Sequence, residues 1–596
     1  MLHQQYVTLY KSSKLQCVLM IKNWQRWQQY LHQRLPGLQK QLALPQTSVQ
    51  LCLLGALGGL IAAILIILFR LAILALQSLY LTTFDDFSTV DSDIRWMLPF
   101  AGALSIGVVA LFAGYRHYRL GIPFVIHRIK TQYGLMPFRN TINQFFGGIA
   151  ALASGFSVGR EGPSVHLGAY GASFLGKKLK LPLNSIRTLV GCGIAAGIAA
   201  SFNTPLAAVI FVMEVVLREY RIHVFIPVML AAVVGALVTR SVFGVERELA
   251  ILDMISLPGW HFPYLILCGV MIGAIAFVFN TNMMRVIRLF KNWPLPLRLL
   301  LAAAITAAVG YLIPQAMGAE TGAIQYAVAA PTDVQLLLAL LVGKIVLTVF
   351  ALGLGVPGGV IGPIFGIGII FGTLLAIIPG LAHGHSDHAG TYAVLGMAGL
   401  MAACLHAPLA ALVAVMELAS NPDIILPAML VIASAYVTGV QLFKNKSLFL
   451  MQLDFMQLPY KLSPADDLLQ KVGVLAMLDQ RYHVLSNPDD VTIRQQLDLL
   501  EADELLVIKR TQEQEAEFQL ASYDVSLSMS GDDAIRYLPM VGINKQTTMA
   551  EAFNALQAQR EGAVYVYDDT LDDIHPIGLI RWDQVQGLLV KQNNLL

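Results

Sequence analysis

The chain has 596 residues, of which 56% are hydrophobic and only 13% are charged, and its mean hydropathy is +0.63. This composition has too few polar residues for the surface of a soluble globular protein, so a polytopic membrane protein is predicted. None of its 38 acidic residues precedes Asp85, and 23 of them lie in the last 146 residues. The net charge of +2 is uninformative by itself, and no nucleic-acid partner is predicted. The five cysteines follow neither a metal-binding nor a disulfide pattern, so no metal site is predicted.

The first 50 residues form a basic arm that contains six lysines and arginines and no acid. Trp24, Trp27 and Leu31 recur at helical spacing between the basic residues. This pattern predicts an interfacial amphipathic helix on the cytoplasmic face of the membrane. The arm lacks the long apolar core and the small-residue cleavage site of a signal peptide.

Two apolar runs, 51–81 and 96–115, are predicted to cross the bilayer, and the acidic stretch 82–95 between them is predicted to be an outside loop. The next four apolar segments are shorter than the roughly 20 residues of a full span, which predicts partial, tilted or re-entrant helices. These four segments are 143–156, 163–175, 188–200 and 205–217. The remaining apolar segments are 224–242, 264–284, 297–313, 334–352, 360–378, 392–404, 408–419 and 424–442.

Two apolar segments broken by glycine and proline repeat each other at a spacing of 200 residues. Residues 151–168 read ALASGFSVGREGPSVHLG, and residues 351–368 read ALGLGVPGGVIGPIFGIG. A second pair, at 202–215 and 405–418, repeats at a spacing of 203. Broken segments at corresponding places in two halves predict a binding site at the repeat interface near the bilayer midplane. Close helix packing would explain the glycines but not their common register.

Glu161 lies inside the first of these broken segments. A carboxylate at that depth costs several kcal/mol, roughly 3 on insertion scales, and is therefore a functional candidate. Pro163 fits the first turn of a helix that begins at Glu161, and the free N–H groups of such a helix start attract an anion. A local ion pair with Arg160 is the alternative, and it is disfavoured because adjacent helical residues do not face each other.

After residue 460 the chain becomes polar and acidic, with mixed α/β patterning. TTMAEAFNALQAQ predicts an amphipathic helix after Thr547 or Thr548, and AVYVYD alternates as a strand does. Residues 474–528 show a weaker parallel to residues 541–589. The tail is therefore predicted to be a tandem pair of small α/β modules.

GREGP at 159–163 and GGVIGP at 358–363, with LGIP at 120–123, resemble the helix-start motifs of the CLC family of voltage-gated chloride channels and proton-coupled chloride antiporters. The resemblance covers residues 51–450 and implies an all-α polytopic membrane domain of two inverted repeats, 51–243 and 262–442, with broken and re-entrant helices. It further implies a homodimer in the lipid bilayer of the plasma or inner membrane, one anion pathway per subunit, and cytoplasmic termini.

The tail, residues 461–596, resembles the α/β tandem CBS domains that many transporters carry. GLIRWD at 578–583 lacks the hydroxyl residue usual in nucleotide-binding pairs, which argues against an adenine nucleotide there.

By this resemblance the gating glutamate falls on Glu161, and backbone amides at Val360 and Ile361 hold the central anion. The implied anion-binding positions are Leu120, Gly121, Ile122, Pro123, Arg160, Gly162, Val360, Ile361 and Phe449. The family usually places a serine and a tyrosine hydroxyl on this anion, and the matching residues here are Leu120 and Phe449. The inner proton-transfer glutamate of many antiporters falls on Val215.

Glu214 and Glu417 occupy equivalent repeat positions, which suggests a shared structural task such as capping a neighbouring broken helix. A proton-carrying role for Glu214 is the alternative. Arg119 has two open interpretations, a snorkelling interface residue or a charge that concentrates anions at a pore mouth.

The predicted function is transport of chloride or another small anion, without enzymatic activity. Three modes stay open: channel-like or weakly proton-coupled chloride flow, chloride/proton antiport, and fluoride export. A CBS-tailed divalent-cation transporter would need several clustered carboxylates, but Glu161, Glu214 and Glu417 lie in separate segments. An intramembrane hydrolase would need a nucleophile–base pair or a metal motif, and the membrane body has neither HExxH nor GxSxG.

Overall fold

A computed structural model of the protein describes most of the chain. The described residues are 36–119, 121–244, 256–319, 321–329, 332–383, 388–419, 421–501, 503–512, 515–523, 535–569 and 575–593. They form two compact units. The first comprises the described residues of Leu51–Leu179 and Ile186–Lys461, and the second comprises the described residues of Met1–Gln50, Lys180–Ser185 and Leu462–Leu596. The predicted amphipathic helix around Trp24 lies outside the described residues.

The membrane unit is helical, and its helices fall into two series. The first series is α1 Val49–Gln77, α2 Ser92–Ala113, α3 Gly121–Gln132, α4 Phe138–Ala153, α5 Glu161–Lys178, α6 Leu183–Phe202, α7 Pro205–Phe211 and α8 Ile222–Phe243. The second series is α9 His261–Leu289, α10 Leu295–Leu312, α11 Thr321–Ala329, α12 Val334–Leu354, α13 Ile361–His383, α14 Ala389–Leu405, α15 Pro408–Ala419, α16 Ile425–Val437 and α17 Leu448–Phe455.

Nine helices of the described chain are long and apolar enough to cross a membrane. This confirms the multi-pass prediction. The prediction for 188–200 as a partial helix is wrong, because α6 runs for 20 residues from Leu183 to Phe202. The predicted segment begins too late because the charge of Arg187 interrupts the apolar run. Arg187 is only 4% exposed and forms an ion pair with Glu219 at 3.5 Å, so the helix continues through it.

The two predicted breaks are built in the same way. Gly155 and Gly355 both adopt left-handed backbone conformations, with φ of 81° and 98°. The following residue then donates its N–H back into the preceding helix, from Phe156 to Ala151 O and from Val356 to Ala351 O. A glycine suits this position because a side chain strains the left-handed region. Each chain half thus ends one helix and starts another within a few residues.

The acidic stretch 82–95, predicted to be an outside loop, contains a buried carboxylate. Asp85 is 2% exposed, and its carboxylate accepts N–H groups of Ala319 at 2.9 Å and Thr321 at 3.4 Å. Its charge is buried because it caps the start of α11, where backbone N–H groups lack partners inside the helix.

The C-terminal unit contains two small sheets. The elements before and within the first are α18 Pro464–Leu469, β1 Tyr482–Ser486, α19 Asp490–Leu499, β2 Leu505–Gln512, β3 Glu515–Tyr523 and β4 Ile535–Pro539. The second contains β5 Gly542–Asn544, α20 Met549–Leu556, β6 Ala563–Tyr567 and β7 Pro576–Arg581, followed by α21 Trp582–Asn593. The strand orders are β1-β2-β3-β4 and β5-β6-β7.

Both sheets begin with the same topology. In each, two parallel strands are joined through a helix, and an antiparallel strand follows. Helix α20 begins as predicted, because Thr548 and Glu551 form a capping box around its first turn. The predicted α/β pattern of the tail is present in the described residues of both halves.

Candidate functional site

The two Gly/Pro breaks meet through their backbones. Gly159 N–H donates to Gly359 O at 2.7 Å, and Gly359 N–H donates to Gly159 O at 2.6 Å. The two glycines form an isolated antiparallel bridge, and they hold the same position in the two repeats. The junction therefore brings the starts of α5 and α13 together from opposite halves of the chain.

Gly162 allows the two loops to approach this closely. A Cβ added to Gly162 would lie 2.5 Å from Gly358 O and 2.9 Å from Gly359 N. Real Cβ atoms essentially never come that close to backbone atoms. The glycine of the predicted motif is therefore required by contact with the second repeat.

The Glu161 carboxylate lies at this junction. Glu161 is the first residue of α5 and is 1% exposed. Its Oε2 occupies the space that a side chain on either Gly159 or Gly359 would fill. A carboxylate that rests on the N-terminal ends of two helices is where an anion is most strongly stabilised.

The first turns of α5 and α13 direct backbone donors toward this position. Ser164 N–H bonds to Arg160 O, and Ile364 N–H bonds to Val360 O, so the N–H groups before them have no partner within their own helices. The third helix start predicted to bind the anion differs, because Gly121 N–H already donates to the Gln144 side chain at 2.9 Å. The first N–H of α3 is therefore not available to an anion.

A cavity of about 200 Å³ reaches the junction from one direction, and we call it the Arg298 cavity. Its lining residues are Tyr118, Arg119, Gly121, Ile122, Pro123, Gly162, Ile287, Arg298, Leu352, Gly353, Gly355, Val356, Pro357, Gly358, Gly359, Val360, Phe449, Gln452 and Met456. It thus contains most of the predicted anion-binding positions. Ile361 adjoins it as the buried first residue of α13. Leu120 lies outside the described residues.

A second cavity of about 140 Å³ is lined by Arg70, Asp85 and Arg160, among others. We call it the Arg70 cavity. The Arg160 guanidinium packs over the Phe202 ring at 4.7 Å. Arg160, predicted to bind the same anion as Val360, therefore lines the other cavity. The residues on the two sides of Glu161 in sequence, Arg160 and Gly162, face different cavities.

Glu214 and Glu417 form a reciprocal pair of caps. The Glu214 carboxylate accepts the N–H groups of Leu409 at 3.1 Å and Ala410 at 2.7 Å, at the start of α15. The Glu417 carboxylate accepts those of Leu206 at 3.0 Å and Ala207 at 2.8 Å, at the start of α7. Each half thus caps the broken helix of the other, which is the structural task that their repeat equivalence suggested.

Three polar residues of the Arg298 cavity were not predicted from the sequence: Arg298, Tyr118 and Gln452. Arg298 lies in the first turn of α10, and the Tyr118 hydroxyl donates to Gly355 O at 3.0 Å. An arginine next to an apolar run was a signal for the first. Nothing in the sequence associates Tyr118 with a loop more than 200 residues away.

Comparison with known proteins now identifies the family. Residues 101–440 match the family model for the voltage-gated chloride channel. The chain belongs to this family. It is 30% identical to a putative chloride channel protein ClcB-like from Ralstonia nicotianae over 58% of this chain and 82% of that one. It is 27% identical to the H⁺/Cl⁻ exchange transporter ClcA from Cronobacter sakazakii over 65% of this chain and 85% of that one.

A solved structure of a slow cyanobacterial Cl⁻/H⁺ antiporter has the same fold. Its TM-score is 0.61 at 22% identity, over 68% of this chain and 97% of that chain. Voltage-gated chloride channel family members are channels or transporters and not enzymes. The hydrolase alternative is therefore excluded, and the described membrane unit is a CLC-type helical fold.

Proposed function

We propose that this protein transports chloride through a pathway that runs past Glu161, between the Arg298 cavity and the Arg70 cavity. The observation that carries this proposal is the position of the Glu161 carboxylate on the Gly159–Gly359 junction, at the N-terminal ends of α5 and α13. The ionised carboxylate occupies an anion site and blocks the pathway. Protonation neutralises it and lets the side chain leave, so flux rises as the pH falls.

Selectivity for anions rests on backbone N–H groups at Val360, Ile361 and Gly162. Phe449 lines the Arg298 cavity with an apolar ring where the family usually has a tyrosine hydroxyl. An anion that enters this site loses water and gains fewer hydrogen bonds, and each charge-assisted bond is worth about 1.5–3 kcal/mol. The central site is therefore expected to bind chloride weakly.

The proposed mode is channel-like or weakly proton-coupled flow. Val215 cannot carry a proton at the position of the family's inner glutamate. The Glu214 carboxylate is held by two N–H groups of α15, which favours a structural role over a proton path. Antiport is the second candidate, because relatives with this fold include H⁺/Cl⁻ exchangers and Glu161 is retained. Fluoride export is the third, because Leu120 places an apolar residue at the usual serine position.

We further propose that the two α/β modules of the tail are a CBS-like pair without a nucleotide. The repeated strand–helix–strand topology of β1–β2 and β5–β6 supports a tandem pair. The segment 578–583 lacks the hydroxyl residue usual in nucleotide-binding pairs, which argues against a bound nucleotide. A homodimer with cytoplasmic termini completes the proposal, by resemblance to the family.

The test is anion efflux from potassium-loaded proteoliposomes in which valinomycin carries the balancing charge, with and without a protonophore. Uncoupled chloride flow is expected, with a rate that the protonophore leaves unchanged. A rate that rises with the protonophore, together with proton uptake in a fixed ratio to chloride, would establish antiport instead. Efflux measured with fluoride in place of chloride tests the third candidate, fluoride export. If neither chloride nor fluoride leaves the vesicles, the transport proposal is wrong.

A further inference from the structure

The Arg298 cavity is strongly electropositive. Two arginines, Arg119 and Arg298, line it, and no carboxylate does so among its described lining residues. Walls of low dielectric concentrate the field of such charges on the cavity interior. Arg119 is exposed at its margin, whereas Arg298 is half-buried. The cavity therefore holds a fixed positive charge beside the helix starts.

Arg298 is held where its guanidinium can face this space. Its backbone N–H bonds to Pro294 O at 3.2 Å, which fixes it in the first turn of α10. Its Nη1 lies 3.9 Å from the place of a Cβ on Gly355, in the loop that leads to α13. Its Nε is buried and has no hydrogen-bond partner among the described residues. A buried guanidinium N–H without a partner is destabilising, so a ligand there restores a favourable bond.

Arg119, Tyr118 and Gln452 are the other polar residues that line the cavity, and the Tyr118 side chain is already engaged. The Tyr118 hydroxyl donates to Gly355 O and so offers no proton to an anion. Phe449 offers none either. Of Tyr118, Phe449 and Arg298, only Arg298 has donors left for a ligand. Five N–H groups in a planar fork suit small anions, and planar oxyanions above all.

We propose that Arg298 is an anion ligand of this cavity and sets which anions load the pathway. It binds chloride or nitrate at the mouth, next to the loop Gly355–Val360, before the anion reaches the junction at Glu161. In this chain the guanidinium replaces the charge stabilisation that side-chain hydroxyls would give. The inference rests on the proposed anion pathway and names a residue that the pathway proposal does not require.

The test compares Arg298→Gln and Arg298→Lys with Arg285→Gln. Arg285 is an exposed arginine of α9 that bonds Asn282 and lies outside the cavity lining, so its substitution removes the same charge elsewhere. Purified full-length protein is titrated calorimetrically with chloride and with nitrate. Initial efflux of each anion is then measured in proteoliposomes at low anion concentration.

Arg298→Gln is expected to weaken binding of both anions about tenfold or more, the equivalent of one charge-assisted hydrogen bond. Arg298→Lys keeps the charge but loses the fork, so chloride binding is expected to stay within about threefold and nitrate binding to fall further. Equal affinities in Arg298→Gln and Arg285→Gln would overturn the inference. If Arg298→Gln does not fold, the inference is overturned when Arg298→Lys keeps the wild-type ratio of nitrate affinity to chloride affinity.

This failure is distinguishable from failure of the proposed function. If wild-type protein carries chloride and Glu161→Gln alters its pH dependence while Arg298→Gln binds normally, only the role of Arg298 is wrong. If wild-type protein carries no anion at all, the pathway itself is wrong.

Discussion

Substitutions at Glu214 and Glu417 distinguish a capping role of these carboxylates from a proton-carrying role. Each carboxylate accepts two backbone N–H groups at the start of a helix from the other repeat. Substitution by alanine removes both acceptors, whereas substitution by glutamine keeps one carbonyl acceptor and removes the charge. The capping account therefore predicts the same ordered loss of stability at both positions, with alanine worse than glutamine.

The magnitude follows from the contacts. A hydrogen bond to a charged group contributes about 1.5–3 kcal/mol, and a carboxylate at a helix N-terminus adds about 0.3–1 kcal/mol. Both side chains are only half-buried, so solvent screening reduces these values. We expect a loss of about 2–3 kcal/mol for each alanine variant and about 1–2 kcal/mol for each glutamine variant.

The assay is thermal unfolding of the purified protein in detergent, followed in parallel with chloride and proton flux in proteoliposomes. Exposed Asp423→Ala serves as the control for removal of a carboxylate. Glu214→Gln and Glu417→Gln are expected to lower stability equally and to leave any coupling between chloride and protons at the wild-type ratio. A Glu214→Gln protein of wild-type stability that loses proton movement, beside a Glu417→Gln protein that keeps it, would refute the capping account.

Three further predictions concern other contacts. Gly162→Ala is expected to separate the two repeat loops and to abolish chloride efflux, because its Cβ would lie 2.5 Å from Gly358 O; wild-type efflux would contradict this. Asn184→Ala is expected to destabilise the C-terminal unit by about 1–3 kcal/mol, because the buried amide donates to three backbone carbonyls. Hydrogen exchange measures this loss, and unchanged protection of the C-terminal unit would contradict the prediction. Burial of the Asp479 carboxyl is outweighed by hydrogen bonds from Arg481, so its pKa is lowered. The stability it contributes is present above its unfolded pKa of about 4 and is lost as the pH falls through the lower folded value, a loss that Asp479→Asn is expected to remove in acid unfolding scans.

The local features of the site were predictable from the sequence. Glycine, proline and a lone carboxylate determine where α5 begins, and the repeat places the start of α13 at the corresponding residue. Helix α20 was equally predictable, because a capping box lies within four consecutive residues. In each case the deciding interactions connect residues close together in the chain.

The long-range contacts were not predictable in this way. The partners of Glu214 and Glu417 lie about 200 residues away, and only the symmetry of the repeats suggested their task. Arg187 was misjudged because a charge in the sequence marks a break unless a buried partner satisfies it, and the capping contacts of Asp85 were not predicted. Arg298 stands out locally as an arginine next to an apolar run, but its place in the cavity depends on contacts between distant segments.

The central claim is that the Glu161 carboxylate closes an anion pathway. The most direct measurement is the initial rate of chloride efflux from proteoliposomes as a function of pH, for wild type, Glu161→Gln and the exposed tail control Glu501→Gln. Wild type and Glu501→Gln are expected to speed up as the pH falls, and Glu161→Gln is expected to be fast at every pH. A Glu161→Gln protein that keeps the wild-type pH dependence would contradict the account.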